Sequence, residues 1–240
     1  SGAYVGVATS CAQAGTGLTF EGQGNGFAFV SESARSDLEF CARQILEAKS
    51  FCNGRMCTAP NVILIASQVA PAFLECWQSL APTFDTPDIG SLMSPAGCEW
   101  VEAHAPAPGE LLAKEHPVLV AVETPGDLPD HEFFCPAVAL LAVSSAREAI
   151  EIIGRSRFRL QTSYFGSRTD EFELLSNLPY CRVVTNINPA DQDPLAPWGN
   201  YGLSGHSPLA TFGEKMVQWQ LIEGSISSLP SSSAPSAVTP

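Results

Sequence analysis

The chemistry this sequence offers most directly is carried by a cysteine and a glutamate. Cys57 stands in the segment Asn53–Gly54–Arg55–Met56–Cys57–Thr58–Ala59–Pro60, between a helical pattern and a β-branched run. A thiolate in such a loop is reachable, and backbone N–H groups around it can cradle an oxyanion on an attacked carbonyl. Arg55, two residues before the thiol, is a cation that can depress its pKa. Glu21 lies 36 residues upstream of Cys57, in the Gly-rich stretch Glu21–Gly22–Gln23–Gly24–Asn25–Gly26. A carboxylate serves as a general base when burial raises its pKa towards neutrality. The other cysteines, at 11, 41, 52, 76, 98, 135 and 181, are scattered and form no CxxC pair. Cys41, Cys76 and Cys181 fall in apolar segments, where cysteine is a small hydrophobe, and Cys52 is read as packing. His104, His116, His131 and His206 have no ligand-like spacing to cysteines, so no metal site is expected.

The elements that must position these groups follow from hydrophobic period. Tyr4–Thr9, Thr16–Phe20 and Phe27–Val30 read as strands. Leu38, Cys41, Ala42, Ile45 and Leu46 share one helical face, in a helix expected to run to about Phe51 before Asn53–Gly54 breaks it. Val62–Ala66 is a buried strand, and Gln68–Leu80 a helix with Phe73, Leu74 and Trp77 inward. Residues 81–110, rich in Pro, Gly and Asp, are expected to be irregular loops with one short strand near Glu99–Val101. Val118–Val122, Ala137–Val143, Leu160–Phe165 and Arg182–Asn186 read as strands, and Pro125–Pro129 as a turn. Ala146–Gly154, capped by Ser144–Ser145, and Asp170–Leu178 read as helices. Strands alternating with helices predict an α/β, three-layer fold on a mainly parallel sheet.

Composition removes several functions. The chain has 240 residues, with 12 Lys+Arg against 25 Asp+Glu, a net charge of −13. Such a balance excludes a nucleic-acid groove, which needs clustered cations. At 45% hydrophobic residues the chain can bury a sizeable core. The apolar runs Asn61–Ala66 and Pro136–Val143 fall far short of the ~20 residues a membrane helix needs. No signal peptide is visible, and the cysteine usage points to a reducing, cytoplasmic compartment. No GxGxxG fingerprint occurs. The Gly-rich run 22–26 precedes a strand instead of joining a strand to a helix, so it is not a phosphate loop.

Six segments in order resemble the second half of the aldehyde dehydrogenase superfamily. Tyr4–Val5–Gly6 is similar to the family's Phe-Thr-Gly turn, and Phe20–Glu21–Gly22–Gln23–Gly24 to its Glu-Leu-Gly-Gly motif. Asn53–Cys57 resembles Asn-x-Gly-Gln-x-Cys, and His131–Glu132–Phe133–Phe134–Cys135–Pro136 resembles Glu-Glu-Ile-Phe-Gly-Pro. Arg182–Val183–Val184–Thr185–Asn186 is similar to Val-Trp-Val-Asn. Pro197–Trp198–Gly199–Asn200–Tyr201–Gly202–Leu203–Ser204–Gly205 is similar to Pro-Phe-Gly-Gly-x-Lys-x-Ser-Gly. The resemblance covers about residues 4–215.

The resemblance implies covalent oxidation of a small-molecule aldehyde. Cys57 would form a thiohemiacetal, hydride would pass to NAD or NADP, and Glu21 would activate the water that hydrolyses the thioester. Glu132, Phe134 and Gly6 would contact the cofactor. Asn186, Trp198 and Met56 would line the substrate pocket. Gln23, Arg55, Cys135 and Gly202 replace the Gly, Gln, Gly and Lys usual in these motifs, and Val7 stands where Ser is common. Family members are about twice this length, and their first half carries most of the Rossmann-like cofactor domain. Residues 1–24 are therefore read as a remnant of that incomplete domain, 25–223 as the catalytic domain and 224–240 as a disordered Ser/Pro-rich tail. The start at Ser1–Gly2 is read as a cut through the cofactor domain. The expected partners are copies of the chain in a homo-oligomer or a missing N-terminal half. Two alternatives are a non-catalytic relative acting as scaffold or oligomer partner, and NAD-independent acyl transfer or thioester hydrolysis at Cys57.

Overall fold

A computed structural model describes residues 3–16, 22–180, 182–191 and 204. The first element corrects the expected strand at Tyr4–Thr9. It is a helix, α1, Ala3–Gln13. The run lacks the polar–apolar alternation of a half-buried strand and is spaced with alanine, the strongest helix former. The second expected strand, Thr16–Phe20, lies outside the described residues except for Thr16.

The core then alternates as expected through β1 (Gly26–Val30), α2 (Leu38–Ser50), β2 (Pro60–Ala66) and α3 (Ala70–Leu80). The next segment departs from expectation. In place of loops and a strand at Glu99–Val101 stand three helices, α4 (Ile89–Leu92), α5 (Pro95–His104) and α6 (Pro108–Leu112). Their caps explain them. Ser94 Oγ accepts from the Gly97 N–H at 3.2 Å and Pro95 takes the first helical position of α5, an arrangement proline favours. Asp88 Oδ1 accepts from the Ser91 N–H at 2.9 Å to start α4. The chain continues through β3 (Val118–Val122), β4 (Ala137–Val143), α7 (Ala146–Arg155), β5 (Gln161–Phe165), α8 (Thr169–Ser176) and β6 (Arg182–Thr185). Ser145 caps α7, its Oγ accepting from the Glu148 N–H at 3.2 Å.

The six strands form one sheet in the order β3-β4-β2-β1-β5-β6, with every pairing parallel. Their two-residue period builds two cores. Phe27, Phe29, Val62, Leu64 and Leu141 point to the side of α5, α7 and α8, where they meet Trp100, Ile153 and Leu175. Ala28, Val30, Ile63, Ile65 and Leu140 point to α2 and α3, where they meet Ile45, Leu46, Phe73 and Trp77. The result is the expected three-layer α/β fold. Because all strands run the same way, their first residues share one rim: Gly26 lies opposite Pro60, Phe27 opposite Thr162, and Gln161 opposite Arg182. The segments that enter the strands therefore converge on that rim. No described helix is long and apolar enough to cross a membrane.

Candidate active site

The nucleophile loop begins with a sharp reversal. After α2, Cys52, Asn53 and Gly54 take φ values of 50°, 56° and 68°. Left-handed backbone is costly for cysteine and is kept where surrounding structure enforces it. The turn delivers Cys57, half-buried, to the rim just before β2. Two glycines let other segments close around it. A Cβ on Gly54 would lie 2.5 Å from the carbonyl carbon of Cys135 and 2.7 Å from the Pro136 nitrogen. A Cβ on Gly24 would overlap the carbonyl oxygen of Cys57 and lie 2.6 Å from its carbonyl carbon. The Gly-rich stretch, the cysteine loop and the 130–136 loop thus touch backbone to backbone.

Glu21 lies outside the described residues, but the residues after it are firmly held. Gly22 N–H donates to the Ser204 carbonyl at 2.7 Å. Ser204 Oγ donates to the Gln23 carbonyl at 2.7 Å and accepts from the Arg159 N–H at 3.1 Å. Gly24 N–H donates to Glu132 Oε1 at 3.0 Å. Burial pushes the Glu132 carboxyl up to about 7, against the opposing pull of that N–H and of Lys49. The loop alternates faces: Phe133 is buried against Trp100, with ring centroids 5.0 Å apart, while Phe134 turns outward at φ 52° and is 44% exposed. Glu132 and Phe134 line a cleft of about 530 Å³ with Gln23, Arg55, Met93 and His131.

A second cleft, of about 710 Å³, lies beside the same loop. Met56 lines it with Glu47, Phe51, Phe84, Asn188 and Asp191. Its two walls are tied together by Gln161 at the start of β5. The buried amide donates from Nε2 to the Thr58 carbonyl at 3.1 Å and to the Pro189 carbonyl at 2.6 Å.

The structure therefore brings Cys57, Met56, Glu132 and Phe134 to one rim. Gly6 stands inside α1, exposed, with open space where a Cβ would sit, instead of in the expected turn after a strand. Asn186 stands apart from that rim. It follows β6 at the opposite end of the sheet, a strand length of roughly 15 Å from the Cys57 rim. There its amide makes a two-way clamp with Gly166, accepting at 3.0 Å and donating at 2.8 Å. Trp198 lies outside the described residues. Sequence reasoning missed Gln161: it opens β5, whose residues Gln161–Ser163 are polar yet buried, and nothing in that polar run set it apart. It quoted Ser204 within a motif but gave it no role. Among the described residues no group of three His, Cys, Asp or Glu could hold a metal ion, and no disulfide joins the described cysteines.

Known proteins resemble this chain in sequence and fold. The model of the aldehyde dehydrogenase family matches residues 2–221. A lactaldehyde dehydrogenase of Methanococcus maripaludis is 24% identical over 189 residues, covering 71% of this chain and 41% of that protein. An N-succinylglutamate 5-semialdehyde dehydrogenase of Erwinia tasmaniensis is 24% identical over 229 residues, covering 85% and 46%. Among solved structures, an oxidoreductase from Marinobacter aquaeolei aligns with a TM-score of 0.71 at 21% identity, covering 88% of this chain and 48% of that one. The indole-3-acetaldehyde dehydrogenase AldA of P. syringae, solved with NAD+ and IAA, aligns with a TM-score of 0.69 at 17% identity, covering 86% and 47%. The chain spans about half the length of the relatives it matches.

Proposed function

Because the chain belongs to the aldehyde dehydrogenase family, we propose that it oxidises an aldehyde to a carboxylic acid through a covalent adduct on Cys57. One observation carries this reading. Arg55 and Met56, consecutive residues just before Cys57, line different clefts. The cysteine loop is thus a partition with the thiol at its edge. A carbon bonded to Cys57 Sγ from the Met56 side can lose hydride to an acceptor on the Glu132 side.

The residues present suit a nicotinamide dinucleotide. Glu132 Oε1 is held by Gly24 N–H, which leaves the other oxygen to accept from a ribose hydroxyl in the cleft. Phe134 presents an exposed aromatic face beside it. When bound, NAD or NADP supplies the hydride acceptor that turns a thiohemiacetal into a thioester.

This chain's own residues do the rest. Cys57 Sγ adds to the aldehyde carbon, and N–H groups of its loop stabilise the oxyanion. After oxidation, Glu21 takes a proton from water, the hydroxide attacks the thioester carbon, and the acid and the Cys57 thiol are released. Gln161 holds the Met56 wall against the Asn188–Asp191 wall, which fixes the aldehyde's approach. The remaining grip on the cofactor is assigned to a further segment or a second chain, as the twofold length of the relatives suggests.

Reduction of NAD+ and NADP+ with a panel of aldehydes, with Cys57→Ala alongside, tests the proposal. Turnover lost in Cys57→Ala supports it. Cofactor binding with no turnover for any aldehyde favours a scaffold role, and acyl-ester hydrolysis by Cys57 without cofactor favours NAD-independent acyl chemistry.

A further inference from the structure

The cleft of about 710 Å³ on the Met56 side of the cysteine loop carries charge of one sign. Glu47 and Asp191 line it, and no Lys, Arg or His does among the described residues. Cations stand near in the chain but are turned elsewhere. Arg55 lines the cleft on the Glu132 side. Lys49 is wholly buried on the inward face of α2, its Nζ donating to Asn61 Oδ1 at 3.2 Å. Arg182, outside the lining, donates from Nη2 to the Asp191 main-chain carbonyl at 2.6 Å.

Both carboxylates ride on fixed backbone. Glu47 lies in the last turn of α2. Gln44 Nε2 donates to its Oε2 at 3.1 Å, which leaves Oε1 to accept from a ligand. Carbonyls at a helix C-terminus carry partial negative charge, so an acid there disfavours the helix and deepens the negative potential over the cleft. Asp191 ends a turn in which its N–H donates to the Asn188 carbonyl at 3.0 Å and the Ala190 N–H to Asn188 Oδ1 at 2.8 Å. Gln161, bonded to the Pro189 carbonyl, and Arg182 pin that turn from outside. The rest of the wall supplies aromatic faces. Phe51, just after α2, is 55% exposed, and Phe84 is half-buried. An aromatic face attracts a cation through its quadrupole and a carboxylate attracts it through charge. An anion finds neither attraction here.

We propose that this cleft selects an aldehyde carrying an alkylammonium group: Glu47 and Asp191 pair with the cation, Phe51 and Phe84 pack against it, and the carbonyl end reaches Cys57 past Met56. The substrate assignment rests on the function proposed above; the cleft's preference for a cation does not need turnover.

Calorimetry with non-reacting alcohols tests the preference. γ-Trimethylammoniobutanol, its neutral tert-butyl isostere and γ-hydroxybutyrate offer a short chain with a positive, a neutral and a negative end. The ammonium alcohol should bind roughly tenfold more tightly than the neutral one, and the anionic one most weakly. In the double variant Glu47→Gln, Asp191→Asn, which keeps both side-chain shapes, the preference should shrink to about threefold or less, with the neutral alcohol bound as before. The bound ammonium alcohol should also slow alkylation of Cys57 by iodoacetamide. Equal binding of the positive and neutral alcohols, tighter binding of the anion, or no binding of any overturns the proposal. So does a preference that survives the double variant, or an unchanged Cys57 rate. The matching aldehydes with NAD+ and NADP+ report on the function separately. Cation-selective binding without turnover sinks that function and leaves the preference standing; turnover that favours the neutral aldehyde does the reverse.

Discussion

Gly54→Ala puts the close approach of the cysteine loop to the 130–136 loop under direct stress. Gly54 sits at φ 68°, where an L-residue costs roughly 1–2 kcal/mol. The added methyl would lie 2.5 Å from the Cys135 carbonyl carbon and 2.7 Å from the Pro136 nitrogen. Carbon atoms rest at about 3.5–4.0 Å, and the obstacle is backbone, so one loop must retreat by about 1 Å. Overpacking of this kind costs about 1–3 kcal/mol. Together the two effects come to roughly 2–5 kcal/mol. For a chain of this size that lowers Tm by roughly 4–20 °C. The retreat carries Cys57 with it, so its alkylation rate by iodoacetamide should change relative to Cys76 on α3. The assay pairs thermal unfolding followed by circular dichroism with peptide mapping of alkylated cysteines. Gly109→Ala is the control, since space around Gly109 is open, and it should leave both readouts near wild type. A Gly54→Ala protein that melts like wild type and keeps its Cys57 rate would show that the loops do not meet as described.

Three further outcomes are expected. Gly24→Ala should slow Cys57 alkylation and cost about 1–3 kcal/mol, because its methyl lands on the Cys57 carbonyl; an unaltered rate in urea-titrated, folded protein counts against the contact. Asn186→Ala should cost about 1–3 kcal/mol through the lost Gly166 clamp and its left-handed backbone, yet leave Cys57 reactivity alone; altered reactivity would contradict its placement at the far end of the sheet. The raised Glu132 value binds its proton more tightly in the folded state than in the unfolded one. Wild type should therefore lose stability relative to Glu132→Gln as pH rises from 4.5 to about 7. Parallel urea midpoints for the two proteins across that range would refute the shift.

The sheet was legible because its strands obey simple rules. Val62–Ala66 and Ala137–Val143 are continuous apolar runs, as parallel strands buried on both faces must be. The helix over residues 95–104 was not read, although Ser94–Pro95 is a start signal, because the density of Pro, Gly and Asp around it masked the pattern. Cys57, Met56, Glu132 and Phe134 were named as candidates, chiefly through motif resemblance, and they share a rim because all strands are parallel. Asn186 falls at the other end of the sheet, because a motif gives order along the chain and not the end of the strand at which a residue sits. Lys49 was not singled out, since lysine is almost never fully buried. Its spacing, three and four residues beyond Leu46 and Ile45, had already put it on the buried face.

The central claim is covalent chemistry at Cys57, and trapping the intermediate tests it most directly. Glu21→Gln should block hydrolysis while leaving acylation possible. That protein, incubated with an aldehyde and NAD+ or NADP+, quenched in acid and mapped by peptide mass spectrometry, should carry an acyl group in place of the thiol hydrogen of Cys57. Reduced cofactor formed while Cys57 stays unmodified, or an acyl group found on a different cysteine, would contradict the account.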